Sequence, residues 1–165
     1  MFAGAPEWEK GQTTAEAQSL QFGDSCDFTA FMPLPKGSKN SGHGLLVVNH
    51  EFVRSSTMFV GHTDPTDPDR VRAEMAGHGM AVGEVKLTED GWAPVLDSPH
   101  NRRITAHTPF RLEGPVAGHP RVKTPADPLG VEALGTLGNC AGGTTPWGTA
   151  LSGEENIQRF WSGAV

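Results

Sequence analysis

The sequence predicts an all-β chain with long loops and one short helix. Glycine and proline are frequent, with 21 and 13 of the 165 residues, yet together they stay below the roughly 25–30% typical of disordered chains. Aliphatic residues occur in short runs that turn residues interrupt, and stretches with helical periodicity are rare. A chain of this length forms one domain, which buries about two-thirds of the surface that its unfolded state exposes.

The charge and the hydropathy pattern exclude two broad classes of protein. The formal net charge is −6 with histidine neutral, which argues against a protein that binds the phosphate backbone of a nucleic acid. Apolar runs stay well short of the ~20 residues that cross a bilayer, so no membrane partner is expected. The start of the chain lacks a basic and an apolar region and is therefore not expected to be a signal peptide.

Residues 1–22 are predicted to be a polar segment, and the first strands follow it. The segment is interpreted as loop, or as a short helix over residues 14–20. Within residues 23–34 a turn is predicted, followed by a short strand that ends at Pro33. Residues 45–48 are a continuous aliphatic run, typical of a strand buried on both faces. This run leads directly into Asn-His-Glu at 49–51, which are either site residues presented at a strand end or ordinary polar groups that close a strand.

Residues 67–77 carry the clearest helix signals. Asp67 suits the N-cap, Pro68 suits the first turn, and Gly77 suits the position just after the helix end. Val71 and Met75 are four residues apart, so we expect them to share the buried face of this helix.

Residues 80–87 and 92–95 are predicted to pair as a β-hairpin around the turn at 88–91. The alternation of valine, glutamate and leucine before Gly91 and Trp92 is typical of the outer half of a β-propeller blade. The expected role of this hairpin is packing.

Arg102 and Arg103 lie in a predicted strand over residues 101–110. Neighbouring residues on a strand face opposite sides, so one arginine points to each face. Because a guanidinium matches the geometry of phosphate, both are candidate substrate-binding residues. The alternative is an arginine that is solvated or paired with a carboxylate.

Residues 138–156 concentrate the chemistry of the chain. Between Gly-rich turns they contain Cys140 and the adjacent Glu154 and Glu155. Thiolate, carboxylate and amide oxygens are ligands for more than one kind of metal, although a hairpin with a buried cysteine and a solvated acidic end has the same sequence pattern. Cys26 and Cys140 do not belong to a C-x-x-C pair, so a structural zinc site is not predicted, and a disulfide between them stays open.

Four segments in the same order resemble the PhoX-like alkaline phosphatases over residues 23–156. They are Asn-His-Glu at 49–51, Asn-Arg-Arg-Ile-Thr-Ala at 101–106, Gly-Pro-Val-Ala-Gly at 114–118, and Asn-Cys-Ala-Gly-Gly at 139–143 with its later Glu-Glu-Asn at 154–156. The resemblance implies a β-propeller, of which residues 23–165 would make an incomplete part of roughly one to two blades. It also implies hydrolysis of small phosphate esters at a site that holds iron and calcium.

The resemblance also implies roles for particular residues. It makes Cys140 an iron ligand as a thiolate, and it makes Glu51 and Asn49 metal ligands. One of the two adjacent glutamates would join them, and we prefer Glu155 over Glu154 because neighbours on an extended strand face opposite ways. No catalytic side chain is assigned, since we expect the attacking oxygen to be activated by a metal.

Two other functions stay open at this stage. One is a non-catalytic, calcium-stabilised β-propeller module that binds partners, and the other is a propeller hydrolase that acts on lactones or other esters. Members of the family are much longer, so the main partner of this chain is expected to be the remainder of its own protein. We therefore expect the fragment alone to be inactive and the parent protein to be periplasmic or secreted.

Overall fold

The structure is a computed structural model that describes residues 2–61 and 64–160. All strand pairs in these ranges are antiparallel. They form one five-stranded sheet and two two-stranded sheets, with few helices. The all-β prediction is confirmed.

The helices and strands follow one another in a simple order. In chain order they are α1 (Ala15–Leu20), β1 (Cys26–Pro33), β2 (His43–His50), α2 (Ser55–Met58), α3 (Pro68–Gly77), β3 (Gly79–Thr88), β4 (Gly91–Pro94), β5 (Arg102–Ile104), β6 (Thr108–Arg111), β7 (Glu132–Gly135), β8 (Asn139–Thr144) and β9 (Ala150–Glu154). Short 3-10 turns lie at Gly114–Val116, Pro120–Val122 and Ile157–Phe160.

The large sheet has the order β1-β2-β3-β4, and β5 pairs with β3 as well. Thr88 is the register partner of Gly91 across β3 and β4, which is the hairpin that the sequence predicts. Strand β1 ends at Pro33 as expected. Strands β6 and β7 form one small sheet, and β8 and β9 form the other.

The described residues contain three α-helices, where the predicted fold had one short helix. Of the two interpretations of residues 14–20, the helical one is correct. Helix α1 forms there because the side chain of Thr14 accepts a hydrogen bond from the backbone N–H of Ala17, which caps its first turn. The additional α2 is a single turn of four residues. Within the described ranges, every helix is too short or too polar to span a lipid bilayer.

Helix α3 begins after Asp67 as predicted, but it ends at Gly77 with His78 as its C-cap, so the predicted position of Gly77 just after the helix end is wrong. Its buried face also differs from the prediction. The side chain of Asp67 accepts hydrogen bonds from the first backbone N–H groups of the helix, as an N-cap should. Val71 is 37% exposed, whereas Ala73 and Ala76 are 1% exposed. The small residues face inward because α3 packs closely against α1.

Buried apolar residues come from the middle of the paired strands β2 and β3 and from the helices, where Met58, Phe59 and Ala73 form a cluster. The burial changes character along β2. Val47 and Val48 of β2 are buried, together with Ala81 and Val82 of β3. The next two residues of β2 are polar, yet Asn49 and His50 are both 0% exposed. Buried polar groups need partners inside the protein, so this end of β2 depends on specific polar contacts.

Candidate metal centre

Three potential ligand atoms from three different parts of the fold meet at the end of β2. They belong to Asp27, Glu51 and Cys140, and all lie within 4.8 Å of one another. Asp27 is on β1, Glu51 directly follows β2, and Cys140 is on β8. We call these three residues the Cys140 cluster.

Two irregularities in strand pairing place the Cys140 cluster. The register between β1 and β2 shifts between Cys26 and Thr29, the segment that contains Asp27. The register between β8 and β9 shifts between Asn139 and Gly142, the segment that contains Cys140. A shift of this kind turns side chains away from the direction that regular alternation would give them. Both side chains can therefore face the end of β2.

The thiol of Cys140 is held by carboxylates. Its Sγ donates a hydrogen bond to Oδ2 of Asp27 at 3.0 Å. The hydrogen bonds to Asp27 and then to Glu155, with their negative charges, raise the pKa of Cys140 to about 12. Without a cation the thiol keeps its proton at neutral pH. A cation between these groups would reverse this preference, since a metal-bound thiol is deprotonated.

The carboxylate of Glu51 also lies in a crowded acidic environment. Desolvation raises its pKa first, and the nearby charges of Asp27 and Glu155 raise it further, while Arg159 acts in the opposite direction. Like charges this close disfavour ionisation of the whole set. The arrangement therefore attracts a positive charge.

The two adjacent glutamates at the end of β9 have different surroundings. Glu154 Oε1 accepts hydrogen bonds from Thr136 Oγ1 and from the backbone N–H of Leu137, each at 2.8 Å. Glu155 instead hydrogen-bonds the thiol of Cys140, which raises the pKa of that thiol. Its negative charge also raises the pKa of Glu51. The structure thus places Glu155 beside the Cys140 cluster and gives Glu154 a role in holding the segment before β8.

Asn49 is close to the Cys140 cluster but does not have the geometry of a ligand. Its Nδ2 donates to the backbone carbonyls of Cys140 and Ala141 at 2.8 and 3.2 Å. Its Oδ1 accepts from Ser152 Oγ at 3.0 Å. Since the side chain is fully buried and both ends of its amide are occupied, a metal role for Asn49 does not fit the structure.

The two arginines predicted to bind phosphate also have different surroundings. The guanidinium of Arg103 is turned into the fold, and desolvation lowers its pKa to about 10. Its nitrogens donate to six backbone carbonyls, those of Gln21, Ala76, Gly77, His78, Met80 and Ile104. Because the fold uses all three of its nitrogens in this way, the expected phosphate role does not fit Arg103. Arg102 is exposed on β5. Its role in binding phosphate stays a prediction.

Asp27 is the residue that the sequence analysis missed. It follows Cys26 at the start of β1, and no periodicity or spacing in the sequence singles it out. One signal existed: β1 and β2 are consecutive antiparallel strands, so the start of β1 must lie beside the end of β2, where Glu51 follows. The observed register pairs Cys26 with His50. The two cysteines are both free thiols, so the disulfide left open above is not formed.

A cavity of about 210 Å³ opens beside the Cys140 cluster. Among its lining residues are Glu51, Glu155 and Arg159, with His78 and Phe160 on its apolar side. A larger cavity of about 780 Å³ lies beside β6 and β7, away from the cluster. The smaller one is the relevant cavity, because its lining includes Glu51 of the cluster together with Glu155 and the cationic side chain of Arg159.

Similarity to known proteins extends over the whole chain. Residues 1–165 match the family model described as alkaline phosphatase PhoX. The chain is also similar to a solved structure described as "Pseudomonas fluorescens PhoX in complex with vanadate, a transition state analogue", at 37% sequence identity and a TM-score of 0.87. That match covers 94% of this chain and 27% of the solved one, so the chain spans about a quarter of that relative's length. Among curated proteins, none matches the chain.

Proposed function

This chain belongs to the PhoX alkaline phosphatase family, and on that premise we propose that the Cys140 cluster and Glu155 form part of the metal centre of a phosphatase. The substrate we propose is a small phosphate ester. The observation that carries the proposal is the meeting of Asp27, Glu51 and Cys140 within 4.8 Å, although they come from separate strands.

Iron and calcium are the metals that we propose for this centre. The donor set suits them, because a soft thiolate together with carboxylates is suited to iron, while carboxylate oxygens alone are suited to calcium. When bound, such cations balance the charge of the phosphoryl oxygens and activate the attacking oxygen.

The residues of this chain surround the proposed metal site with negative charge that a bound cation would balance. Cys140 Sγ must release its proton to solvent when a cation binds. Until then, Asp27 Oδ2 accepts a hydrogen bond from the thiol at 3.0 Å. Glu155 and Glu51 add further negative charge close to the thiol. Arg159 lines the adjoining cavity and can hold an anionic group there. Arg102 remains our proposed contact to a more distant part of the substrate.

The activity that we propose belongs to the whole protein. Further metal ligands and phosphate-binding groups would come from the part of the family domain that this chain does not span. In the proposed arrangement the described sheets are blades of a partial β-propeller. As the resemblance implies, the parent protein would work in the periplasm or outside the cell.

Replacing one of the two cysteines tests the proposal, with the other as the matched control. We expect Cys140→Ser to lower iron content at least about tenfold, because a hydroxyl is a poor substitute for a thiolate on iron. Cys26→Ser should retain iron, since Cys26 is not in the cluster. Metal content is measured by mass spectrometry after loading with iron and calcium. Hydrolysis of a chromogenic phosphate monoester is measured in the protein that carries the whole family domain.

Full iron content in Cys140→Ser would contradict the assignment. A calcium-stabilised binding module, the alternative function, makes the opposite prediction. It should bind calcium through oxygen ligands and be indifferent to the thiol, and it should show no hydrolysis of the phosphate ester.

A further inference from the structure

The strand that carries Cys140 is irregular at that residue. Strand β8 pairs with β9 through Asn139, Gly142, Gly143 and Thr144. Cys140 and Ala141 lie within the shift and have no register partner on β9. Their backbone is therefore not held by regular pairing with β9, and its position must be determined by other contacts.

Asn49 supplies these contacts from the neighbouring sheet. Its Nδ2 donates to both unpaired residues, to the carbonyl of Cys140 at 2.8 Å and to that of Ala141 at 3.2 Å. One side-chain amide thus binds two successive carbonyls at the irregular point. Asn49 also lies two residues before Glu51 in sequence, so it links the backbones that carry two members of the Cys140 cluster.

Further hydrogen bonds link Asn49 to β9 and, through β9, back to β8. Ser152 Oγ donates to Asn49 Oδ1 at 3.0 Å, and it accepts from Asn139 Nδ2 at 2.8 Å. Asn139 directly precedes Cys140 and is 1% exposed. Asn49, Ser152 and Asn139 form a network that we call the amide clamp, and it holds the backbone on both sides of Cys140.

The amide clamp is an energetically unfavourable way to join two sheets. Asn49 and Asn139 are among the largest fully buried side chains, and burying amides is favourable only when their polar atoms are paired. Asn139 Oδ1 has no partner in the part of the chain that the structure describes. Apolar residues would join the sheets without this penalty, so the hydrogen bonds to Cys140 and Ala141 point to a need for accurate placement of this backbone.

We propose that Asn49 is a positioning residue: through the amide clamp it fixes the irregular backbone of β8 and thereby holds the Cys140 thiol against Asp27. The placement of the thiol does not depend on the proposed function. Its consequence for metal loading does rest on that function.

The test measures how accessible the thiol becomes when the amide clamp is broken. In the metal-free chain at one fixed pH, the alkylation rate of Cys140 by iodoacetamide is compared with that of Cys26, by peptide mass spectrometry. We expect Asn49→Ala to raise the ratio about tenfold, a size that fits the loss of two neutral hydrogen bonds. Ser152→Ala should raise it about threefold, and Ser152→Thr, which keeps the hydroxyl, should restore the wild-type ratio.

Asn101 offers a matched control elsewhere in the fold. Its Nδ2 also donates to two successive backbone carbonyls, those of Val95 and Leu96. Asn101→Ala should leave the ratio of the two alkylation rates unchanged. An equal rise in Asn101→Ala would show that general loosening is the cause and would overturn the proposal, as would an unchanged ratio in both Asn49→Ala and Ser152→Ala. Should Asn49→Ala fail to fold, the two Ser152 variants decide.

A second readout separates this inference from the proposed function. With Co²⁺ as the probe, the absorption of a thiolate–cobalt bond should appear in the wild-type protein that carries the whole family domain, and it should weaken in the Asn49→Ala and Ser152→Ala variants of that protein. Absence of this band in the wild type would count against the metal centre, whereas the alkylation ratios would still decide the role of Asn49. A band of full intensity in both variants would contradict positioning by the amide clamp.

Discussion

At the scale of single residues, the charge around Cys140 is the dominant feature. Asp27 and Glu155 hydrogen-bond the thiol and raise its pKa. Desolvation raises the pKa of Glu51, and the same two carboxylates raise it further. Each of these shifts includes the repulsion of like charges, so a bound cation would relieve them together. Glu154, next to Glu155 in sequence, is instead a structural carboxylate that holds Thr136 and Leu137.

The adjacent pair Glu154 and Glu155 allows a direct comparison. We expect Glu155→Gln to weaken iron or calcium binding by at least about tenfold, since losing a group beside a bound metal costs about this much or more. Glu154→Gln should leave metal binding within about twofold, because a glutamine oxygen can still accept from Thr136 and Leu137. Metal titration of both variants checks this, and equal losses would remove the distinction that we draw between the two carboxylates.

At the scale of elements, Arg103 joins the short strand β5 to helix α3. The last carbonyls of a helix lack partners within the helix and lie at the negative end of its dipole. Arg103 donates to the carbonyls of Ala76, Gly77 and His78 at that end. Its guanidinium therefore completes the end of α3, and β5 gains an anchor that its three residues could not supply by pairing alone.

Replacing Arg103 should destabilise the fold strongly. We expect Arg103→Met to lower the free energy of unfolding by about 3 kcal/mol or more, because several backbone carbonyls lose a charged donor. Arg102→Met, at the exposed neighbouring position, should change it by less than about 0.5 kcal/mol. Urea denaturation followed by circular dichroism measures both. Similar values for the two variants would show that the Arg103 contacts add little.

At the scale of the whole molecule, polar side chains connect parts of the chain that lie far apart in sequence. Asn49 on β2 connects the large sheet with β8 and β9. Glu84 on β3 connects that strand with the start of β2 and with the segment after β4. The carboxylate of Glu84 accepts from Ser98 Oγ at 2.6 Å and contacts His43 Nε2 at 2.8 Å. The hydrogen bond from Ser98, followed by that from His43, holds the pKa of Glu84 below its ordinary value of 4.5.

This shift predicts how global stability depends on pH. Because the folded-state pKa of Glu84 is lowered, its contribution is present above pH 4.5 and is lost as the pH falls through the folded-state value. Glu84→Gln should therefore flatten the acid side of the curve of unfolding free energy against pH. Glu113→Gln, at an exposed position, should keep the wild-type slope. An unchanged slope in Glu84→Gln would show that this carboxylate is not responsible for acid sensitivity.

Local features of the chain were accessible from the sequence alone. The N-cap of α3, the turn at residues 88–91 and the stop at Pro33 act within a few residues, so the amino acids themselves determine them. The sequence also indicated Cys140 and Glu51 as site candidates, because one lies in a distinctive Gly-rich motif and the other at the end of an aliphatic strand. These inferences need no knowledge of which strands pair.

Only the tertiary structure decided which side chains meet. Asp27 reaches Cys140 across 113 positions of sequence, and two register shifts between strands turn both residues towards the end of β2. The same tertiary structure makes the Asn49 side chain a hydrogen-bond donor to the backbone of β8, so it is not free to bind a metal. It also surrounds the guanidinium of Arg103 with backbone carbonyls. The sequence determines which chemical groups the chain contains. The direction in which each group points depends on strand register and on irregular pairing, which are set by contacts between segments that are distant in sequence.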